Sequence, residues 1–481
     1  MKKLNQLYDC NYDVEIKGIK INSKEVEPGD LFVCVKGATV DRHDYIDDAI
    51  KNGAVALVVS KDVNVKVPTI KVANTNEELG KLCRKFYDYP DKKMTMIGIT
   101  GTDGKTSVAT ITQTLIGKDK CGYIGTNGYS CVAFNKDTNN TTPDADKLYG
   151  YFQEFIDNGC SYTAMEASSE AIFKGRIKEI KYDVTAITNI TSEHLNTHGT
   201  LENYIACKKE LFTQLKEHGK CVLNKDDAHF LEVKDACCGE ILTYGKDSDN
   251  TLWIKHFVVS PNNTIVTFVY NKETYTFTSP LLGDFNVYNL ACAMLICLSL
   301  GFDMNYLINN VKYINVSGRL DMVDLGQDFY VMVDYAHTPN GITNLLNFVH
   351  TLKINRSIVV IGQAGERDPY KREIVGEVVS NNASYAIFTY EDPRSENPRD
   401  IIDMMTKRIK DKNNYEVVID RSEAIKRAIN IAEKGDMVLI LGKGNETYEK
   451  LKDRTIYFND IEEAKKYIIQ RLKEEGNLVS Q

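Results

Sequence analysis

Apolar residues come in short runs along most of the chain, each closed by glycine or a polar cluster. Stretches of helical spacing lie between them. Residues 30–35 and 54–60 predict buried strands, and residues 45–52 predict a helix that Gly53 ends. A helix over 76–88 runs into Tyr89-Pro90-Asp91, a breaker cluster suited to a linker. The texture restarts with an apolar strand over 94–100, a glycine-containing loop and a helix over 107–116. Residues 162–165 and 184–188 predict further buried strands ending in polar residues, the pattern of a parallel α/β sheet with its ligand loops at the carboxyl ends. Between 251 and 280 the pattern alternates, as in Thr264-Ile265-Val266-Thr267-Phe268-Val269-Tyr270, and predicts an antiparallel excursion. A helix over 287–300 stops at Gly301. From 318 the first texture returns, with strands over 330–333, 357–361, 385–389 and 437–441. No repeat or low-complexity segment interrupts it.

The 481 residues exceed what one core organises, and the breaks in texture predict an α/β protein of three domains, 1–93, 94–317 and 318–481. Hydrophobic residues make up 43% and charged residues 26%, an ordinary globular balance. The net charge of −8 and the absence of a long basic run speak against nucleic acid as a partner. No apolar run reaches the length of a signal core or a membrane span, and the twelve cysteines are scattered without a CxxC. Together these predict a cytoplasmic protein with reduced thiols and no membrane partner.

Chemistry concentrates where predicted strands end. Gly101-Thr102-Asp103-Gly104-Lys105-Thr106-Ser107 joins a strand to a helix. Its glycines let the backbone approach an anion, its amides and helix start face that anion, Lys105 offsets phosphate charge, and Thr106 can bind Mg²⁺. Position 99 is Ile, so the loop is a shortened phosphate loop. Glu166 ends an apolar strand, where a carboxylate calls for a cation; alone, it reads equally as a capped strand end. His194, in Thr188-Asn189-Ile190-Thr191-Ser192-Glu193-His194, reads as a metal ligand or, better on its own, as a loop histidine. Lys208 and Lys209 lie in a predicted helix over 204–212 and read as a solvated face. Asp334, after another strand, can accept from ribose hydroxyls. Gly362 to Arg372, Glu391-Asp392-Pro393-Arg394 and Gly442-Lys443-Gly444-Asn445-Glu446 form rim loops in which Arg suits a carboxylate, although surface salt bridges explain each residue taken singly.

In this order the segments resemble the Mur ligases of peptidoglycan synthesis. The resemblance also rests on Asn22-Ser23-Lys24, Pro28-Gly29-Asp30-Leu31-Phe32-Val33, Asn140-Thr141-Thr142-Pro143, Gly283-Asp284-Phe285-Asn286-Val287-Tyr288-Asn289 and Ser317-Gly318-Arg319. It implies a small N-terminal α/β domain for a UDP-bearing substrate, a central phosphate-loop ATPase with a parallel sheet, and a C-terminal Rossmann-like domain for the incoming amino acid. The implied chemistry is ATP-dependent amide formation through an acyl phosphate, with Mg²⁺, in a monomer. Lys105, Glu166, His194 and Lys208 become catalytic, with Thr106, Glu166, His194 and a carbamylated Lys208 on metal. Gly101, Thr102, Asp103, Gly104, Lys105, Thr106, Ser107, Asn286, Arg319 and Asp334 become ATP contacts. Ser23, Asn140, Thr141, Thr142, Ser168, Lys174 and Arg176 would hold the UDP-N-acetylmuramoyl-L-alanyl-D-glutamate.

Arg367, Glu391, Asp392, Pro393, Arg394, Gly442 and Glu446 match contacts to the third stem residue, and the retained Arg394 favours meso-diaminopimelate over lysine or another diamino acid. The chain departs from the family at Asp103, usually Asn, at Glu170, commonly His, and at Asn445, usually His; Asn459-Asp460-Ile461-Glu462 stands for a late Asp-Asp-Arg-Glu. These departures keep a divergent paralogue in view. A folylpolyglutamate synthase would lack the N-terminal motifs, and a non-catalytic nucleotide-binding subunit would not need Lys105, Thr106, Glu166, His194 and Lys208.

Overall fold

A computed structural model describes residues 1–37, 40–138, 140–191, 193, 195–260 and 263–475. Three main sheets follow one another along the chain. The N-terminal sheet has four parallel strands in the order Gly18–Lys20, Asp30–Val33, Ala56–Val59, Thr69–Lys71. Asp30–Val33 and Ala56–Val59 are buried throughout, as their apolar runs predict.

The central sheet has eleven strands. Its heart is parallel: Cys121–Gly125, Tyr162–Glu166, Thr95–Thr100, Tyr182–Ile187, Leu215–Asn224, Glu240–Gly245 and Leu252–Val259 lie side by side. Antiparallel strands flank both edges, Gly128–Cys131 with Phe134–Lys136 on one side and Thr264–Tyr270 with Glu273–Ser279 on the other. The expected excursion is therefore part of this sheet, and the sheet is mixed. A tight connection suffices for an antiparallel neighbour, whereas a parallel one needs a crossover, so edges are cheaply extended by hairpins. The C-terminal sheet runs Asp321–Met322, Tyr330–Asp334, Met437–Leu441, Ser357–Ile361, Tyr385–Phe388, Tyr415–Val417, parallel apart from its first pair.

Several boundaries move. The helix after the glycine loop begins at Lys105, so Lys105 and Thr106 form its first turn. The helix carrying Lys208 is Leu201–Lys209, followed by a 3-10 turn over Glu210–Thr213. The segment expected as a linker is packed: Tyr89 takes φ 54°, Pro90 opens a short helix, and buried Asp91 receives Arg84 in a fork of 3.0 and 2.8 Å. All twelve cysteines are free thiols. Among the described residues, no helix is long and apolar enough to cross a membrane.

Candidate active site

Thr95–Thr100 lies between Tyr162–Glu166 and Tyr182–Ile187, with Glu166 level with Ile99 and Ile187 level with Thr100. This register gathers the loop after Thr100, the Glu166 carboxylate and the segment from Thr188 at one rim. Gly101 has φ +145° and Gly104 φ +84°; a Cβ would collide with Thr188 Oγ1 at the first and Asn289 Oδ1 at the second. Both positions therefore require glycine. Thr102 N donates to Asn189 O at 2.9 Å, Thr191 N to Thr102 Oγ1 at 3.0 Å, and Asp103 N to Asn189 Oδ1 at 3.0 Å. The loop is thus laced to the neighbouring strand's exit. Thr106 and Ser107 are buried in the first helical turn. Asn286, on Asp284–Ser299, accepts from Asn289 Nδ2 at 3.0 Å, which places the pair behind Gly104.

Two lysines converge on the same carbonyl. Lys105 Nζ donates to Gly101 O at 3.0 Å and Thr102 O at 2.8 Å. Lys208 Nζ donates to Gly101 O at 2.8 Å and lies 4.5 Å from the centre of the Tyr204 ring. Lys208 is 1% exposed, so the solvated-face reading is wrong. The helix turns this residue inward, and mixed polarity around Leu201–Lys209 hides that face from a periodicity argument. Burial lowers the basicity of both amines, and the positive charge of Lys105 adds to the effect on Lys208.

Glu166 is fully buried and satisfied. Its Oε1 accepts from Tyr123 OH at 2.8 Å and Thr126 N at 2.9 Å. His194 lies outside the described residues. Among the described residues no three His, Cys, Asp or Glu side chains surround a common point. The donors present, the Thr106 hydroxyl and the Glu166 carboxylate, are hard oxygens. They fit Mg²⁺, which keeps waters and substrate phosphates as its remaining ligands and needs no all-protein cage.

A polar network borders this rim. Thr142 Oγ1 donates to Glu166 O at 2.7 Å, and Ser168 N donates to Thr142 Oγ1 at 3.1 Å. Arg176 Nη1 donates to Thr142 O at 3.1 Å, and its Nε lies 2.7 Å from Asp144. Thr141 meets Thr126 at 3.1 Å. Lys174 pairs with Glu170 at 2.6 Å, so the residue that departs from the family holds a lysine expected at the site. A cavity of about 310 Å³ opens between the N-terminal and central units, lined by Asn22, Arg42, Asn140, Pro143, Asp144 and Lys147 among others. Ser23 is buried at the start of the short helix beside Asn22. Sequence reasoning missed Arg42 and Lys147; Lys147 pairs with Glu25 at 3.1 Å across the two units, a relation no local pattern carries.

In the C-terminal unit Asp334 and Leu441 are in register, so their loops share a rim. Both Asp334 oxygens are used by backbone amides, Leu320 N at 2.8 Å and Ala336 N at 2.7 Å. The carboxylate thus ties the segment after Arg319 to its own strand exit, and its remaining lone pairs alone are open to a ribose. Arg319 stacks 4.6 Å from the Tyr335 ring centre, and its charge reaches Lys105. Lys443, placed in a rim loop by the sequence but given no role there, organises these rim loops: fully buried, it donates to Asp392 at 2.8 Å and Glu446 at 3.1 Å. Beneath it Arg421 and Asp460, both 0% exposed, pair at 2.8 and 2.6 Å, which explains the Asp retained in the altered late motif. Pro393 is buried and Arg394 takes φ 53°. Arg394 Nε and Glu391 Oε2 are buried without a hydrogen-bond partner, the latter turned toward Gly442. Burial pushes the Glu391 carboxyl up to about 7, against the pull of Lys443 and Arg421. Arg367 is exposed, whereas Arg372 lies not in the loop but in the first turn of the helix Tyr370–Asn382, where it is structural, forked onto Glu396 at 2.8 and 2.9 Å.

A shortened phosphate loop on a mainly parallel sheet, facing a separate α/β unit with a charged rim, defines a nucleotide-using α/β enzyme. Three family models match in chain order: "Mur ligase family, catalytic domain" over 15–96, "Mur ligase middle domain" over 99–297, and "Mur ligase, glutamate ligase domain" over 318–444. The chain belongs to the Mur ligase family and is a ligase. It is 38% identical over 475 residues to the UDP-N-acetylmuramoyl-L-alanyl-D-glutamate–2,6-diaminopimelate ligase of Bacillus licheniformis, covering 96% of each chain. Against the enzyme of that name from Aquifex aeolicus it is 35% identical, covering 94% of each. A solved structure of an enzyme so named superposes with a TM-score of 0.67 at 26% identity, covering 98% of this chain and 99% of that one. The MurF ligase of Thermotoga maritima in complex with ADP gives 0.70 at 20% identity, covering 99% and 100%, and shares the fold.

Proposed function

We propose that this ligase joins meso-2,6-diaminopimelate to UDP-N-acetylmuramoyl-L-alanyl-D-glutamate at the expense of ATP. The observation that carries the choice of amino acid is the pair of unsatisfied buried groups on one rim turn. Glu391 Oε2 lacks a donor and Arg394 Nε lacks an acceptor. The distal centre of diaminopimelate carries an ammonium and a carboxylate and answers both; lysine carries only the ammonium. A buried polar group left unpaired is destabilising by about 1–3 kcal/mol, so a ligand that satisfies two gains correspondingly. The names of relatives 35–38% identical over nearly the whole chain support the same reading.

In this reading residues 1–93 and the Thr141, Thr142, Ser168, Lys174 and Arg176 network hold the UDP-bearing substrate, 94–317 binds ATP, and 318–481 brings the amino acid. Amides of the loop and the helix start at Lys105 receive the phosphates. Lys105 leaves the carbonyls of Gly101 and Thr102 to offset charge on the transferring phosphoryl group. Thr106, Glu166 and a carbamylated Lys208 would hold Mg²⁺, which when bound supplies charge neutralisation at the phosphates. Lys208 is buried and of lowered basicity, the neutral amine that carbamylation requires. Arg394 and Glu391 fix the distal end of the amino acid, leaving its other amine free to attack the activated D-Glu carboxyl.

Phosphate release is measured with the UDP-muramoyl dipeptide, ATP and each amino acid in turn. Turnover is expected with diaminopimelate. Arg394→Ala should raise KM for it by about 10- to 100-fold, with KM for ATP nearly unchanged. Turnover with lysine but not diaminopimelate refutes the assignment.

A further inference from the structure

The phosphate loop holds one residue unlike its family, Asp103, and the structure shows where its side chain goes. Neither carboxylate oxygen turns to the other loop residues. Oδ1 accepts from Thr338 Oγ1 at 3.4 Å and Oδ2 from Asn340 Nδ2 at 3.2 Å, both in the C-terminal unit. Thr338 is the N-cap of Pro339–Thr351, its Oγ1 accepting from Gly341 N at 3.0 Å, and Asn340 lies in the first turn. The carboxylate therefore rests against the start of a thirteen-residue helix, where a negative charge is favoured. On its own side, Asp103 is held by its backbone: its N–H donates to Asn189 Oδ1 at 3.0 Å, and its C=O accepts from Thr188 Oγ1 at 2.5 Å and Asn189 Nδ2 at 3.2 Å.

Negative charge makes the residue type specific. Two donors arrive from the C-terminal unit, and a carboxylate offers an acceptor oxygen to each. Asparagine, the family's usual residue here, can still accept from Asn340 and donate to the Thr338 hydroxyl, but it is neutral and loses the charge assistance at the helix start. A second contact lies alongside: Lys371 of the C-terminal unit pairs with Glu193, on the segment following Asn189, at 3.6 Å, both little exposed.

We propose that Asp103 is a positioning residue, an acidic strut that fixes the start of helix Pro339–Thr351 on the phosphate loop, so that the loop's conformation and the docking of the C-terminal unit are set together. The coupling works in both directions. Loosening the helix start loosens the loop, and a loop residue without the negative charge holds the helix less firmly. The strut belongs to the chain without substrates and is independent of which amino acid the enzyme uses.

Hydrogen–deuterium exchange on the full chain without nucleotide tests it, with thermal melting of each variant confirming a folded sample. D103N should speed exchange of amides at 338–343 by about tenfold, the factor set by one charge-assisted hydrogen bond. N340A, which lies outside the loop, should speed exchange at 101–104 comparably. The exchanged pair D103N/N340D returns a carboxylate facing an amide with donor and acceptor reversed, and should restore both segments to within about twofold of the wild type. A merely local effect of Asp103 on the loop would not be rescued from residue 340. If N340A leaves 101–104 unchanged, or the exchanged pair fails to restore protection, the strut is refuted. Should D103N not fold, N340A decides alone.

Discussion

At the scale of single residues, Lys208 carries the most specific consequence. A lysine with 1% exposure, bonded to Gly101 O and crowded by Lys105, is a poor place for a second positive charge. Its position makes sense if the amine is a precursor: addition of CO₂ turns a buried base into an anion beside the phosphate loop. Lys208→Ala should lower turnover by at least about 100-fold, the order seen when one preorganised electrostatic group is removed. Short carboxylic acids should partly restore it, because they place a free carboxylate in the vacated space. Phosphate release by the variant, with and without added acetate or propionate, checks this; undiminished turnover without them rules out the carbamate role.

At the scale of elements, the turn Glu391-Asp392-Pro393-Arg394 links pH to stability. Glu391 is raised from the ordinary carboxylate range to about 7, chiefly by burial. The folded chain thus holds this proton more tightly than the unfolded chain. The stability it contributes is complete below about pH 4.3 and is lost as pH rises through 7. Glu391→Gln cannot ionise and escapes that loss. Its unfolding free energy relative to wild type should therefore rise between pH 5 and pH 8, by on the order of 2 kcal/mol. Denaturant unfolding at the two pH values measures it, and an equal difference at both would contradict the assignment.

The same turn shows what was legible beforehand. Strand cores such as Ser357–Ile361 and Met437–Leu441 stood out because an unbroken apolar run has few other uses. The loops they feed were found because strand ends carry ligand chemistry. What escaped depends on partners that only packing brings together. Lys443 is meaningful only beside Asp392, 51 residues earlier, and Asp460 only beside Arg421. Asp91 read as a breaker because Arg84 is not visible as its partner until the helices pack. Asp103 could be marked as a departure, but its bonds to Thr338 and Asn340 span 235 and 237 positions.

At the scale of the molecule, the cores do not follow the three sheets one by one. One cluster joins Leu4, Ile16, Leu31 and Val58 of the N-terminal unit to Ile124, Tyr149, Phe152 and Ile187 of the central one. A second fills the other face of the central sheet, around Ile97, Val108 and Leu290. The C-terminal sheet has its own pair of clusters. One lies wholly within 323–472, and the other takes little beyond Leu282 from the central unit. Cooperativity follows shared buried surface, so the N-terminal and central units should unfold as one block and the C-terminal unit as another. The single tryptophan, Trp253, sits on the central strand Leu252–Val259, so its fluorescence follows only the first block, while far-UV circular dichroism follows both. In urea the dichroism should show two transitions and the fluorescence one, coincident with one of the two. Loss of the strut in N340A should separate the transitions further, because it removes a contact between the blocks and leaves each core intact. A single coincident transition by both probes would mean that the docked C-terminal unit shares the stability of the rest. A third transition confined to the N-terminal sheet would mean that the shared cluster does not bind that unit to the central one.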